Sequence, residues 1–170
     1  FSGESQVVDG IELPGKADTP DKAPDLMRML GSRFVAHPDM AMLQVKVADP
    51  NHPIVAGLND FEIEDEPYYC EFFGDNHVLL EASYNEPSHG YVQSEFGTDQ
   101  ASHPQMYLHT VGAGQVLYLT LVHCRGKYDL RPLMDIAPIE RGAWDFPIFY
   151  DLLNRGINCG NGVSAIFKTR

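Results

Sequence analysis

A buried strand in the middle of this sequence ends in a group of titratable side chains. The apolar run Val116 to Val122 is followed at once by His123, Cys124 and Arg125, with Asp129 a few residues further on. Loops at the carboxyl ends of strands often form ligand sites, and histidine and arginine there can move a proton or hold an oxygen atom. The alternative interpretation is that these side chains only hydrogen-bond the following loop.

Two adjacent carboxylates, Asp65 and Glu66, end another strand just before Pro67 and Tyr68. Adjacent carboxylates repel each other, so the pKa of one can rise and suit it to general acid or base catalysis where water is partly excluded. A solvated acidic strand end is the plainer alternative. The pair is therefore a candidate for acid/base work.

The remaining motifs give weaker signals. His37 and His52 each precede a proline, which holds them in extended or turn backbone, and His109 is expected on the exposed face of a hairpin strand. No HExxH, HxH or local Cys/His spacing is present, so a divalent metal such as zinc would need distant ligands, for which His37 and His123 are the candidates. Cys124 lacks the strand-to-helix turn of a nucleophile elbow, and we interpret it as an unreactive thiol.

Hydrophobic periodicity predicts the elements that must position these groups. A helix, PDLMRML, should end at Gly31, and an amphipathic helix, WDFPIFYDLLNRG, should be capped by Asp145 and close at Arg155 and Gly156. The predicted strands are MLQVKVA, FEIEDE, HVLLEAS and a hairpin formed by PQMYLHTV and QVLYLTLV around GAG. Between Tyr84 and His103 we expect a long irregular segment.

The composition narrows the class of protein. A chain of 170 residues with 44% hydrophobic residues fits one domain: a polar arm over 1–24, the domain over 25–160 and a tail over 161–170. A formal charge of −12 disfavours binding to nucleic acid or to anionic membranes. Three cysteines without a paired spacing favour a reducing, cytoplasmic compartment, although a secreted or periplasmic location stays open because the chain begins at Phe1.

Four segments together carry a family resemblance. They are LGSRFVAHPDM, VADPNHPIVAGLNDFEIEDEPYY, HPQMYLHTVGAGQVLYLTLVHCRGKYD and RGAWDFPIFYDLLNRGI. In order and spacing they resemble the ThuA-like (trehalose utilisation) family over about Leu26 to Ile157.

The resemblance implies an α/β sandwich similar to class I glutamine amidotransferases, without their cysteine triad, around a mostly parallel central sheet with an antiparallel hairpin. It also implies a role in the use of trehalose or other sugars, through keto-sugar derivatives. The family's strand-end histidine falls on His123, its acidic pair on Asp65 and Glu66, and its F-x-x-HP histidine on His37.

Three departures from the family pattern stand out. Val122 replaces the glycine expected before the strand-end histidine, and Asn158 replaces a tryptophan. The family's first βαβ portion has no counterpart before Phe1. We therefore expect an additional amino-terminal segment, a second chain or an oligomer to complete the sheet, because an incomplete sheet exposes apolar edges.

The sequence thus predicts an enzyme that converts a sugar or keto-sugar, a small-molecule carbohydrate, by acid/base or metal-assisted chemistry. The expected catalytic residues are Glu66, His123 and Asp65; the expected substrate-binding residues are Arg125, Tyr68, Asp129, Arg141 and His37. The alternative is a non-catalytic sugar-binding or assembly module that retains the fold. Convergence of Glu66, His123 and Arg125 on one site would favour the enzyme.

Overall fold

The computed structural model of the chain describes residues 6–8, 11–13, 15–126 and 139–160. Asp129 and the tail over 161–170 lie outside this part. Within it the strands are β1 (Gln6–Val8), β2 (Ile11–Leu13), β3 (Ser32–Ala36), β4 (Ala41–Val47), β5 (Phe61–Asp65), β6 (Tyr69–Phe72), β7 (Asn76–Ala82), β8 (His103–Val111) and β9 (Gly114–Leu119). The helices are α1 (Pro24–Leu30) and α2 (Pro147–Gly160), with a 3₁₀ turn over Gly142–Asp145.

The main sheet has five strands in the order β5-β4-β7-β8-β9, and every neighbouring pair in it is antiparallel. Two smaller antiparallel pairs are formed by β1 with β2 and by β3 with β6. The fold is therefore a mixture of α-helices and antiparallel sheets. The predicted helix at α1, the half-exposed strand β4, strands β5 and β7 and the hairpin β8–β9 are all confirmed.

The predicted mostly parallel sheet is wrong for the described strands. A parallel pair needs a crossover of a dozen or more residues, usually a helix, but no helix lies between β4 and β9, and only Gly112 and Ala113 separate β8 from β9. The parallel pairing that does occur among the described residues is an isolated bridge between Ala17 and Tyr91. The architecture of class I glutamine amidotransferases is not confirmed.

Alternate residues of β8 face two different layers. Met106 lies with Leu117 and Leu119 beneath α2. Tyr107 points the other way: its hydroxyl donates to the carbonyl of Leu30 (3.0 Å) and can accept from the hydroxyl of Ser32, whose Oγ lies 2.7 Å away. Because a strand places successive side chains on opposite faces, the sheet is covered by α2 on one side and by α1 with β3 on the other.

The expectation that β9 is buried on both faces is only partly met. Its last four residues are half-buried, and Val122 beyond it is 40% exposed, because β9 is the edge strand of the described sheet. Gly156 of α2 packs so closely on it that an added Cβ would lie 2.6 Å from Cδ2 of Leu117. Completion of the sheet by a further strand stays a prediction; β5 and β9 are the two edges of the described sheet at which such a strand could pair.

His109 is buried, which contradicts the prediction of an exposed histidine. It is 8% exposed, and its Nδ1 lies 2.8 Å from Oδ1 of Asn76. The cause is Gly31, which ends α1 with a φ of 76° and brings the backbone against the imidazole ring, where a Cβ would lie 2.6 Å from the ring. The side of β8 that looked exposed is the one covered by α1.

Helix α2 differs in detail from its prediction. It begins at Pro147 and continues past Gly156 to Gly160, while Asp145 belongs to the preceding 3₁₀ turn. Arg155, expected to end the helix, is 6% exposed and donates from Nη1 to the carbonyls of Ile54 (3.2 Å) and Ala56 (3.0 Å). Arg155 therefore joins α2 to the turn that follows β4.

We expect Arg155→Met to lower the free energy of unfolding by about 2–4 kcal/mol, because it leaves buried carbonyls without a donor. Arg28→Met, which removes an arginine whose ion pair with Asp25 is exposed, should change it by less than about 0.5 kcal/mol. Urea denaturation of both variants checks this. Equal effects would show that the contacts of Arg155 do not matter to stability.

Candidate active site

The carboxylate of Asp65 ties three segments together. It is fully buried at the end of β5, and its Oδ1 accepts from the backbone N–H groups of Glu66 (2.8 Å) and His123 (3.1 Å). The N–H of Ala143, in the 3₁₀ turn, also donates to it. Asp65 thus fixes the strand end against the segment after β9. Its expected part in catalysis stays a prediction.

A glycine is required where the 3₁₀ turn passes this carboxylate. Gly142 has a φ of 45°, and a Cβ there would lie 2.9 Å from the carbonyl oxygen of His123 and 3.1 Å from Oδ1 of Asp65. The close approach removes water from the carboxylate. Burial accordingly raises the pKa of Asp65 to about 6, although the three backbone donors act in the opposite direction.

The carboxylate of Glu66 lies between two histidines. Its Oε2 is 2.9 Å from Nδ1 of His123, and its Oε1 is 3.6 Å from Nε2 of His37. The side chain is only 10% exposed. Tyr68 also hydrogen-bonds Glu66, and the pKa of Tyr68 is raised by burial first and by the negative charge of Glu66 second.

The orientation of His37 is set by its own backbone neighbour. Nδ1 lies 2.7 Å from the carbonyl oxygen of Pro38, which can only accept, so Nδ1 carries the proton. Nε2 is then left to face Glu66. The ring packs among Tyr91, Tyr68 and Phe34, with centroid distances of 5.1, 5.9 and 6.0 Å.

Glu140, a residue that the sequence analysis missed, lies on the other side of His123, where Nε2 of His123 is buried without a hydrogen-bond partner among the described residues. Nε2 of His123 lies 3.4 Å from Oε2 of Glu140, and Oε1 of Glu140 lies 2.5 Å from Nη2 of Arg125. Arg125 and Glu140 also exchange two backbone hydrogen bonds, of 2.6 and 2.9 Å. No motif marks Glu140, because its position beside His123 depends on backbone pairing between residues that are far apart in the sequence.

An open cavity of about 510 Å³ adjoins the Glu66–His37 contact. Residues of two segments, 37–41 and 86–91, form most of its wall, together with Pro67. The lining residues are His37, Pro38, Asp39, Met40, Ala41, Pro67, Glu86, Pro87, His89, Gly90 and Tyr91. His37 belongs both to the wall and to the carboxylate–histidine contacts, so it connects the cavity to Glu66.

Most of the predicted site residues come together. Glu66, His123 and Arg125 converge through direct contacts and through Glu140, with the buried Asp65 behind them and Tyr68 and His37 beside Glu66. Arg141 does not join them; it is half-exposed and pairs with Asp145 at 2.6 Å. Asp129 lies outside the described residues.

The two candidate metal ligands contact the same carboxylate instead of facing an open space between them. Within residues 15–126 and 139–160, no group of three or more His, Cys, Asp or Glu side chains is arranged to hold a metal ion. Glu66 lies against both His37 and His123. A metal at these histidines stays a prediction, which elemental analysis can test.

Comparison with known protein families decides the affiliation. Residues 15–137 match the sequence model of a family described as trehalose utilisation, ThuA. The chain belongs to the ThuA family. The ThuA match includes Asp65, Glu66, His123 and Arg125 but ends before Glu140. Membership of the family indicates a carbohydrate-related role.

No curated protein and no solved structure matches the chain. In the part of the chain that the structure describes, no helix is long and apolar enough to cross a membrane. The family match and the geometry of the site are therefore the two observations that point to a function.

The pKa of Asp65 leads to a pH prediction. Because the folded-state pKa of about 6 lies above the usual value of about 4, the carboxyl contributes stability that is fully present below pH ~4 and lost as the pH rises through 6. Asp65→Asn keeps an acceptor oxygen but cannot ionise. Relative to wild type, its free energy of unfolding should rise by up to about 3 kcal/mol between pH 4 and pH 7. Denaturation curves that stay parallel across this range would contradict the prediction.

Proposed function

We propose that this ThuA protein is an enzyme that converts a sugar or keto-sugar by acid/base chemistry, with Glu66 as the base. The observation that supports it is the position of the Glu66 carboxylate, which lies between His37 and His123. Of these residues, His37 also lines the cavity. A carboxylate between two imidazoles can take up a proton while an adjacent imidazolium donates one. This arrangement needs no nucleophilic cysteine, in keeping with the lack of an amidotransferase triad in the sequence.

In the proposed reaction Glu66 removes a proton from the sugar, and His37 donates one to a sugar oxygen. On a keto-sugar the proton would come from the carbon next to the carbonyl, where it is acidic enough for a carboxylate base. His37 can donate to Pro38 and to the substrate together only as an imidazolium, because both of its ring nitrogens must then carry protons.

His123 supports the base from behind. It lies between the carboxylates of Glu66 and Glu140, and its positive form stabilises the charge of Glu66 between proton transfers. Arg125 pairs with Glu140, whose carboxylate faces the ring of His123. Tyr68, which hydrogen-bonds Glu66, is the proposed substrate-binding hydroxyl next to the base.

The cavity suits a mono- or disaccharide in size and lining. Ligand pockets usually measure about 300–1,000 Å³, and this one measures about 510 Å³. Three prolines and Tyr91 offer apolar surface to the C–H groups of a sugar ring, and His89 offers a polar contact to its hydroxyls. We also propose, from the family resemblance, that the fold is related to that of class I glutamine amidotransferases.

We expect Glu66→Gln to lower kcat by about 10²–10⁴-fold on the sugar that the wild type converts, because the amide cannot accept the proton. Glu64→Gln is a matched control that should leave kcat unchanged, since Glu64 is exposed on β5, which ends just before Glu66. Neither variant should shift the melting temperature by more than a few degrees. Steady-state kinetics on trehalose and its keto derivative measure the effect, and a fully active Glu66→Gln enzyme would remove Glu66 from the reaction.

The metal-assisted alternative has its own test. Elemental analysis of protein never exposed to a chelator, followed by the same analysis of His37→Ala, separates the two mechanisms. Under the proposal we expect no stoichiometric zinc in either protein. Zinc that is present in wild type and lost in the variant would instead make His37 a ligand and Glu66 a base acting on a metal-bound substrate.

A non-catalytic sugar-binding module is the rival function. It predicts that wild type binds sugars in a calorimeter without converting them, and that Glu66→Gln changes binding no more than Glu64→Gln does. The proposed enzyme predicts turnover that depends on Glu66. Calorimetry measures sugar binding and steady-state kinetics measures turnover, so the same proteins distinguish the two functions.

A further inference from the structure

The wall of the cavity contains negatively charged side chains, and the lining residues that can balance their charge are histidines. Two carboxylates, Asp39 and Glu86, lie in it, and the described lining contains no lysine or arginine. Both residues are exposed, and neither forms an ion pair within the part of the chain that the structure describes. The imidazoles of His37 and His89 are the groups of this lining that can become positive, and Nε2 of His37 already faces Glu66.

Such a wall repels anionic ligands. A phosphate or carboxylate group brought next to an unpaired carboxylate loses hydration and gains no opposite charge, which disfavours the complex. The formal charge of −12 on the chain adds a repulsion at longer range that salt screens. Arg125, which lies beside the catalytic contacts, is bound to Glu140 on the side of His123.

The same wall accepts a neutral polyol. Ionised carboxylates are strong acceptors for hydroxyl groups, and hydrogen bonds to a charged partner are roughly twice as strong as neutral ones. Asp39 and Glu86 stand in the two wall segments, one on either side of Pro67 in the sequence. A sugar between the segments could therefore donate hydroxyl protons to both.

We infer that Asp39 and Glu86 are specificity-determining residues that restrict the site to uncharged saccharides and reject phosphorylated or carboxylated ones. The inference rests on the proposed function for the location of the site, and it names the chemical class of the substrate. Neither residue touches the reacting atoms, so their substitution should change which sugar binds rather than the acid/base step.

Isothermal calorimetry with trehalose and trehalose 6-phosphate as probes tests the inference. For wild type we expect the neutral sugar to bind at least about tenfold more tightly than its phosphate ester. In the double variant Asp39→Lys/Glu86→Lys this ratio should fall to about one or invert, because two repulsive charges become attractive. Raising the ionic strength should reduce the ratio in wild type and the change that the variant produces.

A control double variant, Asp25→Lys/Asp99→Lys, changes the net charge by the same amount at two exposed positions outside the cavity lining. It should keep the wild-type ratio, which separates a local effect from a change in net charge. If the lysine variant is poorly folded, Asp39→Asn/Glu86→Gln should still reduce the ratio by several-fold.

Three results would overturn the inference: equal or tighter binding of the ester by wild type, a ratio that is the same in the cavity and control variants, or no binding of the neutral sugar. Failure of the proposed reaction looks different. In that case the neutral sugar binds selectively and the cavity variants change the ratio, but no turnover depends on Glu66.

Discussion

The buried carboxylate of Asp65 is the interaction on which the site depends. It lies at the end of β5 and accepts backbone hydrogen bonds from segments that are far apart in the sequence. A buried carboxylate is costly unless donors surround it, so the three segments are held where their N–H groups can reach it. The side chains of Glu66 and His123 meet because their backbones are fixed to the same oxygen atom.

Much of the fold could be predicted from the spacing of apolar residues, because that spacing indicates which face of a helix or strand is buried. The α1 helix with its glycine cap, the alternating strand β4 and the β8–β9 hairpin follow from local residue patterns. Strand direction does not follow from them, because an apolar run reads the same in either orientation. The connections do carry that information: none of those between β4 and β9 contains a helix, and a parallel neighbour needs a crossover.

The site could be predicted as far as its residues stand at strand ends or in family motifs. Glu66, His123 and His37 were accessible in that way, and the structure brings them together. Glu140 was not, because it comes next to His123 through backbone pairing with Arg125, which is far from it in the sequence. The sequence points instead to the neighbouring Arg141, whose side chain pairs with Asp145. Contacts of this kind depend on three-dimensional closure and leave no local signal.

The bridge between Arg125 and Glu140 is formed by backbone groups as well as by side chains. Each of the two residues donates its own N–H to the carbonyl oxygen of the other. Any residue except proline can form such a pair, because only proline lacks the N–H group. A substitution of either side chain can therefore change the charge beside His123 while the two backbone segments stay joined.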